Sequence, residues 1–327
     1  MNHHALRLAA WPYVAVIACV LLVAGCQDGS GPSLITSPEG KPAYEGAKPP
    51  PPPPPPPADP AIGFVVHGKV RGDRGWLDAD FLKVMNTDGS NVTTIFTSLW
   101  GGHGIIGRPS WSPDGRSIAF QTSFDGLWLI DVGVVSGVPT GTNARVLLDR
   151  ATTLYFPAWS PQGGLIAFVD LELRTLEVIP VAGGDTEVLY SSSLDLSSPS
   201  WNPDATQIAF FEGNAIRVLD IATRQATTVL GPEWEGPLGG GRYLDWARTQ
   251  SALTFHGASG IYTMQIPGTP TLVCPGLWPT WSPNDQQIVF RDASTDPLKK
   301  VVVATGQVTD LGARGSLPSW KRDEGTP

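Results

Sequence analysis

The sequence predicts an all-β protein built from one repeated four-stranded unit, and three observations predict it. A tryptophan-containing turn signal recurs six times, at a period of roughly 40 to 45 residues. Short β-branched and aromatic runs follow most copies, separated by Asp-Gly, Gly-Gly and Pro-Gly pairs that favour tight turns. The two ends of the repeat region are incomplete, and each end lacks what the other supplies.

The repeated signal is Pro-x-Trp-Ser-Pro-Asp-Gly, followed by a strand that ends in Ala-Phe. Its best copy spans residues 109–120, and related copies begin at residues 157, 199 and 279. A degraded fifth copy surrounds Leu244-Asp245-Trp246, and Pro318-Ser319-Trp320 is the sixth. We expect the recurring indoles to fill the gaps between adjacent units rather than to do chemistry; they are Trp111, Trp159, Trp201, Trp246, Trp281 and Trp320.

Each unit is predicted to hold four strands, which we call a, b, c and d. Strand a carries the tryptophan, and strand b carries the Ala-Phe pair. Strand c is expected at residues 82–85, 127–130, 176–179, 216–219 and 261–264, and strand d at residues 94–96, 145–148, 187–189, 228–230, 272–273 and 308–309. Such a meander of short antiparallel strands is typical of one propeller blade, which cannot bury both its faces alone.

The two incomplete ends predict how the ring closes. Residues 64–66 begin the domain at a strand b, with no strand a before them, whereas residues 317–320 supply a lone strand a at the other end. Pairing the last strand into the first blade removes two exposed sheet edges. The sequence therefore predicts a six-bladed β-propeller of four-stranded antiparallel blades, closed by the C-terminal strand, over residues 61–322.

The motif Trp-Ser-Pro-Asp-Gly-x-x-Ile-Ala-Phe at residues 111–120, with Asn-Thr-Asp-Gly-Ser at residues 86–90, resembles the WD-like propeller repeat of the TolB family. The resemblance covers nearly all of the chain after its amino-terminal segment. It implies a six-bladed propeller in the cell envelope. The resemblance implies that TolB combines an amino-terminal α/β domain with a propeller, and the sequence predicts no such α/β domain here. The fold and the location therefore transfer more safely than TolB's role in a translocation complex.

The amino terminus predicts a bacterial lipoprotein. Arg7 precedes an apolar stretch over residues 8–23, which ends in Val-Ala-Gly-Cys at residues 23–26. Residues 1–25 are predicted to be the signal peptide, and Cys26 the lipidated first residue of the mature protein. A transmembrane helix or an ordinary secretory signal is the alternative. Gln27, in place of an inner-membrane retention Asp, favours the outer membrane facing the periplasm.

Residues 26–60 are predicted to be a tether between the lipidated cysteine and the propeller. Nine consecutive prolines at residues 49–57 favour polyproline II, a stiff spacer of roughly 28 Å. A ligand for a proline-recognition module is the alternative interpretation. Residues 323–327 form a short tail.

Composition excludes several functions. Removing residues 1–25 takes away one arginine and no acid, which leaves 21 basic against 30 acidic residues, a net charge of −9. A nucleic-acid partner is not expected, because no basic run is available to neutralise phosphates. Membrane contact is expected through the anchor alone. Cys274 is the single cysteine after Cys26, so no internal disulfide is expected.

No catalytic motif is evident in the sequence. It contains no Gly-x-Ser-x-Gly, His-Glu-x-x-His, Cys-x-x-Cys or phosphate-loop pattern. We therefore expect no enzyme activity, no cofactor and no resident metal.

The long connections point to one face of the propeller. Alternating strand directions put the a–b and c–d turns on one face, here called the turn face, and the b–c and d–a connections on the other, the loop face. The turn face has tight turns except for a long loop at residues 133–142. Three long loops are expected on the loop face, at residues 71–80 with Trp76, 100–108 with His103 and 231–242 with Trp234.

One ring position sharpens this expectation. The residue after the aromatic of strand b reads His67, Gln121, Val169, Phe211, His256 and Arg291 from blade one to blade six. His256, Arg291 and His67 come from successive blades, and such a sector would suit a carboxylate or a sugar acid. Three unrelated strand ends are the alternative. With His103, a three-histidine metal site is conceivable.

These residues favour a non-catalytic binding or scaffold module for an envelope protein or a cell-wall component. A carbohydrate-active or metal-assisted hydrolase or lyase at the channel mouth is the alternative. It ranks second because the two histidines and one arginine have no paired carboxylate.

Overall fold

The computed structural model describes residues 60–72, 75–99, 104, 107–122, 126–150, 154–234, 243–294 and 296–322. The predicted signal peptide, Cys26, nearly all of the tether and the 323–327 tail lie outside the described residues. Throughout the described ranges the regular structure consists of twenty-four β-strands. No helix within those ranges is long and apolar enough to cross a membrane.

The strands follow one another in chain order with short connections. They are β1 (Ile62–Gly72), β2 (Gly75–Met85), β3 (Thr93–Leu99), β4 (Ser110–Trp111), β5 (Ser117–Thr122), β6 (Gly126–Val135), β7 (Val138–Leu148), β8 (Leu154–Trp159), β9 (Leu165–Asp170), β10 (Thr175–Pro180), β11 (Glu187–Ser191), β12 (Leu196–Trp201), β13 (Gln207–Glu212), β14 (Ala215–Asp220), β15 (Ala226–Leu230), β16 (Leu244–Trp246), β17 (Ala252–Gly257), β18 (Gly260–Gln265), β19 (Thr271–Cys274), β20 (Leu277–Trp281), β21 (Gln287–Arg291), β22 (Pro297–Val302), β23 (Val308–Arg314) and β24 (Ser316–Trp320).

These strands form six antiparallel sheets of four strands each, and the sheets are the six blades. Blade one has the order β24-β1-β2-β3, and blades two to six are β4–β7, β8–β11, β12–β15, β16–β19 and β20–β23. The predicted closure is confirmed, because β24 pairs with β1 through Ile62 opposite Trp320 and Gly63 opposite Ser319. Lys321 then donates its backbone N–H to the carbonyl of Ala61 at 2.7 Å. The ring is thus closed by residues from both ends of the domain.

The Trp-Ser-Pro-Asp-Gly signal forms a turn for reasons that its residue types explain. In blade two, the hydroxyl oxygen of Ser112 accepts the backbone N–H groups of Arg116 and Ser117 at 3.2 and 2.9 Å. Gly115 closes the turn with a left-handed φ of 66°, which glycine adopts without steric cost. A short polar side chain and a glycine at this spacing therefore reverse the chain from strand a into strand b.

In four of the six blades, the side chain of the residue before the repeat tryptophan links neighbouring blades. The Ser110 hydroxyl accepts the backbone N–H of Trp159 at 2.9 Å, and the Ser200 hydroxyl accepts that of Trp246 at 2.9 Å. The Asp245 carboxylate accepts the N–H of Trp281 at 2.8 Å. A polar residue at this place satisfies a backbone donor of the next blade, which explains why Ser, Thr or Asp recurs there.

The core lies between the blades, as the sequence predicted. All six repeat tryptophans are buried, and Trp111 packs with Val65, Leu82 and Val84 of the preceding blade. A second ring of fully buried side chains comes from the b strands; it contains Phe64, Phe120, Phe168, Phe210, Phe255 and Phe290. Flat and bulky side chains at fixed places in each repeat therefore fill the spaces between adjacent sheets.

Two of the predicted loops are instead extended hairpins. Residues 71–80 were expected to form a loop, but β1 and β2 stay paired out to Gly72 opposite Gly75. Residues 133–142 were also expected to form a loop, but β6 and β7 stay paired out to Val135 opposite Val138. Glycines obscure the strand alternation in both segments, and charged residues do so in residues 71–80. Blade one therefore projects a hairpin on the loop face, and blade two projects one on the turn face.

Candidate functional site

The inner strand of each blade enters from the loop face and ends at the turn face. The residue three places before each repeat tryptophan, here called the entry position, therefore lies at the loop-face mouth of the central channel. Around the ring the entry positions are Arg108, Phe156, Ser198, Tyr243, Trp278 and Leu317.

The entry position is strained in four of the six blades. Phe156, Ser198, Trp278 and Leu317 have φ values between 50° and 59°, the left-handed region that bulky L-residues rarely adopt. The register between strands a and b shifts at the same place in these four blades. A bulge of this kind turns a side chain away from the regular direction of its strand. Strain held at the same place in repeated units is a reason to look for function there.

Aromatic rings at the entry positions touch across the mouth. The rings of Phe156 and Tyr243 meet edge to face at 5.3 Å, and those of Tyr243 and Trp278 at 6.0 Å. Tyr155 extends the row, with its ring 5.4 Å from that of Phe156. Phe156 belongs to blade three and Tyr243 to blade five, so their contact passes over blade four, where the entry position is the small Ser198. We call these four aromatic side chains the aromatic row.

Arg108 closes the mouth from the opposite side of the ring. It precedes blade two, yet its guanidinium donates to the carbonyls of Leu244 at 3.2 Å and Pro279 at 2.7 Å, in blades five and six. The same group lies 5.0 Å from the ring centroid of Tyr243. Burial lowers the pKa of Arg108, while the carboxylate of Asp245 acts in the opposite direction. The positive charge of Arg108 is therefore stabilised mainly by two backbone carbonyls and an aromatic ring.

Arg291 extends this surface towards blade one. Its guanidinium lies 5.0 Å from the ring centroid of Trp278 and also pairs with the carboxylate of Asp296. His67, on β1, has its Nδ1 2.5 Å from the carboxylate of buried Asp80. That hydrogen bond raises the pKa of His67, whereas burial and the positive charge of Arg291 lower it. Arg291 and His67 therefore lie close enough to interact electrostatically.

The predicted ring alignment needs one correction. Ile62 pairs with Trp320 as Ile118 pairs with Trp111, so the blade-one equivalent of Gln121 is Val65 and not His67. Blade one has no Ala-Phe pair, and its aromatic is Phe64, which the alignment overlooked. His67 lies two residues further along β1, towards the loop face.

Most members of that ring position are packing residues. Val65, Gln121, Val169 and Phe211 are buried, while His256 and Arg291 are partly exposed. Gln121 accepts the backbone N–H of Phe156 at 2.6 Å, and its side-chain amide donates to the carbonyl of Leu154. It therefore supports the bulge at the neighbouring entry position. His256 donates its backbone N–H to the carbonyl of Tyr243 at 3.1 Å.

The three remaining candidates have different environments. Trp76 lies on β2 and is 68% exposed. Trp234 is partly buried, and its ring packs edge to face against Phe255 at 5.3 Å and Tyr262 at 4.7 Å. His103 lies outside the described residues. Across the described ranges, no group of three His, Cys, Asp or Glu side chains is arranged to hold a metal ion.

The sequence did not single out the aromatic row, although a signal for it exists. Counting three residues back from each repeat tryptophan places four large residues, Arg, Phe, Tyr and Trp, at equivalent positions. That they would meet one another across the ring follows only from the tertiary structure.

Comparison with known proteins supports the fold. No family model matches the chain. An uncharacterized protein of Agrobacterium fabrum is 30% identical over 133 residues, which cover 36% of this chain and 43% of that protein. Rat acylamino-acid-releasing enzyme is 26% identical over 197 residues, which cover 58% of this chain and 24% of the enzyme. The chain thus spans less than half the length of these curated relatives.

Among solved structures, TolB from Acinetobacter baumannii is similar with a TM-score of 0.59 and 17% identity. The match covers 81% of this chain and 68% of that chain. At this level of identity the likeness concerns the fold and does not extend to activity or partners. The chain is therefore a six-bladed β-propeller with a TolB-like fold, as its repeat motifs predicted.

Proposed function

We propose that the chain is a lipid-anchored cell-envelope protein whose propeller binds a partner at the loop face without catalysing a reaction. The aromatic row with Arg108 and Arg291 carries this proposal. This surface crosses the mouth of the channel. Its backbone is strained at two of the contributing entry positions, Phe156 of blade three and Trp278 of blade six. A rigid scaffold that presents such a surface is suited to recognition.

The residue types favour a protein partner over a cell-wall component. Tyrosine, tryptophan and arginine are enriched at protein interfaces and dominate their binding energy. Here they occur together, and Phe156, Trp278 and Arg291 remain partly exposed.

The blade-one hairpin adds a second element to the same face. Trp76 and Leu77 are exposed by 68% and 44%, respectively, and Trp76 pairs with Arg71 on β1. Arg71 is four residues beyond His67, so the hairpin reaches about 13 Å past it at about 3.3 Å per residue. An exposed tryptophan on a projecting hairpin suits contact with a partner seated over the mouth.

The predicted anchor supports a location at the membrane surface. The signal sequence, Cys26 and the proline tether would hold the propeller away from the lipid, with the outer membrane facing the periplasm favoured. Replacing the lipid acceptor tests this part alone. We expect Cys26→Ser to leave an uncleaved precursor or a soluble species in membrane fractionation. A processed variant that still partitions into detergent would contradict it.

Crosslinking and affinity capture from intact envelopes test the binding function. We expect the lipidated wild-type protein to capture a defined partner, and Trp76→Ala and Arg291→Ala to reduce that capture at least tenfold. Val135→Ala is the matched control, because Val135 is 62% exposed on the hairpin of the turn face. Equal loss in all three variants, or none in the two loop-face variants, would contradict the proposal.

One observation favours a second candidate, a hydrolase. The structure supplies the paired carboxylate that the sequence did not reveal, because Asp80 holds Nδ1 of His67 at 2.5 Å. A carboxylate in that place orients an imidazole for general acid or base catalysis. The rat relative is an acylamino-acid-releasing enzyme, so an N-acetylated amino-acid anilide is a suitable probe. Turnover that is abolished by His67→Gln would support this candidate, and turnover unchanged by it would exclude His67 as its base.

A further inference from the structure

The turn-face mouth of the channel differs in chemistry from the loop-face mouth. It opens into a cavity of about 490 Å³, within the range of ligand-binding pockets. Three prolines from the a–b turns line it, together with Thr249, Asn284 and two arginines; the prolines are Pro113, Pro161 and Pro283 and the arginines are Arg248 and Arg322.

Both arginines replace a residue of the repeat. The residue two places after each repeat tryptophan, here called the exit position, is proline in blades two, three, four and six. In blades five and one it is Arg248 and Arg322 instead. These two blades flank blade six, so the two guanidiniums lie in one sector of the mouth. Two positively charged side chains thus occupy the position at which the other repeats have an uncharged proline.

The positive charge of Arg248 is compensated by neighbouring groups. Its two terminal nitrogens contact the two carboxylate oxygens of Asp245 at 3.0 and 2.9 Å, and one also donates to the carbonyl of Trp246 at 2.8 Å. Asp245 also accepts the hydroxyl of Thr280 at 3.0 Å and the backbone N–H of Trp281 at 2.8 Å. The acceptor capacity of this carboxylate is therefore used.

The second nearby carboxylate is also occupied. Asp285 accepts the backbone N–H of Arg248 at 2.6 Å. It accepts the backbone N–H and the hydroxyl of Thr249 at 2.7 and 2.6 Å. Asn284 uses its Oδ1 within its own turn, accepting from Ser282 at 2.8 Å and from the backbone of Gln286 at 3.2 Å. Asn284 lines the cavity, and its amide nitrogen has no hydrogen-bond partner among the described residues.

Arg322 is the uncompensated cation. No hydrogen bond or ion pair joins it to another group of the described chain, and it lines both the outer cavity and the narrower channel behind it. Burial lowers its pKa to about 9, and the positive charge of Arg248 lowers it as well. Asp245 and Asp285 act in the opposite direction without outweighing these effects. A guanidinium in this state gains from any anion that reaches it.

We propose that the turn-face mouth is a binding site for a small oxyanion, a carboxylate or phosphate group that Arg322 receives with two parallel hydrogen bonds. A planar guanidinium matches both groups in this bidentate geometry. Arg248 adds positive potential, and the amide of Asn284 adds a donor at the rim. This site faces away from the proposed partner surface, so it is independent of the binding function at the loop face.

Titration with inorganic phosphate and with citrate, at constant ionic strength, tests the site in the full-length protein. We expect calorimetric binding to the wild type and at least tenfold weaker binding to Arg322→Gln. Arg314→Gln is the matched control, because Arg314 is an exposed arginine on β23 outside the cavity. At a hundredfold excess over the dissociation constant, the ligand should raise the wild-type melting temperature by about 5 °C.

Three results would overturn the proposal. One is the absence of binding to the wild type, and another is equal binding to Arg322→Gln. The third concerns the acidic residues that follow Arg322. If phosphate binds only to the double variant Asp323→Asn/Glu324→Gln, the site serves the chain's own carboxylates instead of an external ligand. Without ligand, Arg322→Gln should melt no lower than the wild type, because it removes a charge that has no hydrogen-bond or ion-pair partner among the described residues.

Discussion

The two mouths of the channel are built from equivalent positions of the same repeat, yet they differ in how their charges are satisfied. At the loop face, Arg108 and Arg291 are held by carbonyls, a carboxylate and aromatic rings. At the turn face, Arg322 lines an open cavity without a partner among the described residues. One mouth is closed by an ordered surface suited to a large partner. The other is an open pocket suited to a small anion.

The difference shows which positions of a repeat protein determine what it binds. Most repeat positions are occupied for packing reasons, as the buried tryptophans and phenylalanines show. The informative residues are departures from the repeat, such as Arg248 and Arg322 where other blades have proline. A departure costs stability when it places a charge in a confined site. It is therefore a better guide to function than the repeat itself.

The largest effect on stability is expected from a deletion that opens the ring of blades, on which both mouths of the channel depend. Deleting residues 316–327 takes away β24 and leaves β1 and the neighbouring blade with exposed edges. We expect loss of cooperative unfolding, or aggregation, measured by circular dichroism during heating. Deleting residues 323–327 alone removes none of the described strand pairs and serves as the control. Unchanged melting of the longer deletion would contradict closure by the C-terminal strand.

The next largest effect distinguishes Arg248, which is paired with Asp245, from Arg322 at the turn face. Asp245→Asn removes the charge that compensates Arg248 and should lower the free energy of unfolding by about 3 kcal/mol, because a buried pair is broken on one side. Urea denaturation measures the loss. Phosphate should restore part of the stability if the mouth binds oxyanions. A variant as stable as the wild type would show that Asp245 is not needed to hold Arg248.

The same substitution has a predicted pH signature. Burial alone would raise the pKa of Asp245, but the charges of Arg248 and Arg108 and the hydrogen bonds from Trp281 and Arg248 together outweigh it, and the pKa lies below its ordinary value. A lowered pKa contributes stability above the unfolded value of about 3.9, and this stability is lost as the pH falls through the folded value. The wild type should therefore lose this contribution in acid, whereas Asp245→Asn should not show that component.

A smaller effect contrasts the two mouths directly. Arg108→Gln should lower the free energy of unfolding by about 1 to 3 kcal/mol, because the carbonyls of Leu244 and Pro279 lose their donors. Arg322→Gln should cost nothing in the absence of anion. Parallel denaturant titrations measure both. If Arg322→Gln lowers the free energy of unfolding more than Arg108→Gln does, then Arg322 is the better-compensated arginine, and the contrast drawn between the two mouths is wrong.

The smallest effect concerns His67 at the edge of the loop-face surface. The hydrogen bond to Asp80 raises its pKa above 6.5, so its charge-linked stabilisation is complete below 6.5 and is lost as the pH rises through the folded value. A histidine titration by NMR should give a midpoint above 6.5. Asp80→Asn should move that midpoint down. A midpoint unaffected by Asp80→Asn would show that the pair does not set the charge of His67.

Much of the fold follows from the sequence because the repeat signals are local. The Ser-Pro-Asp-Gly turn encodes its own hydrogen bonds, and each tryptophan needs only the neighbouring blade, so blade number and closure are readable. The blade-one register was misread because β1 has Gly63 and Phe64 where other blades carry Ala-Phe or a close variant. The two projecting hairpins were interpreted as loops because glycines hide the alternation in both, and charged residues hide it further in residues 71–80.

Less of the candidate site was readable, because its contacts cross the ring. Arg291 and His67 were predicted as neighbours from blade order, and Asp80 was not predicted because its partner lies across a hairpin that was read as a loop. Phe156 and Tyr243 are far apart in sequence and in blade order. Their contact depends on the small residue of blade four and on strained backbone, which single-sequence patterns do not encode.

Photocrosslinking in living cells tests the central claim most directly, that the loop face is where the partner binds. A photoreactive phenylalanine analogue is placed at residue 76 on the loop-face hairpin or at residue 135 on the turn-face hairpin, both exposed sites. We predict a discrete crosslinked species from position 76 and none from position 135. A species from position 135 alone would contradict the account and move the partner to the turn face.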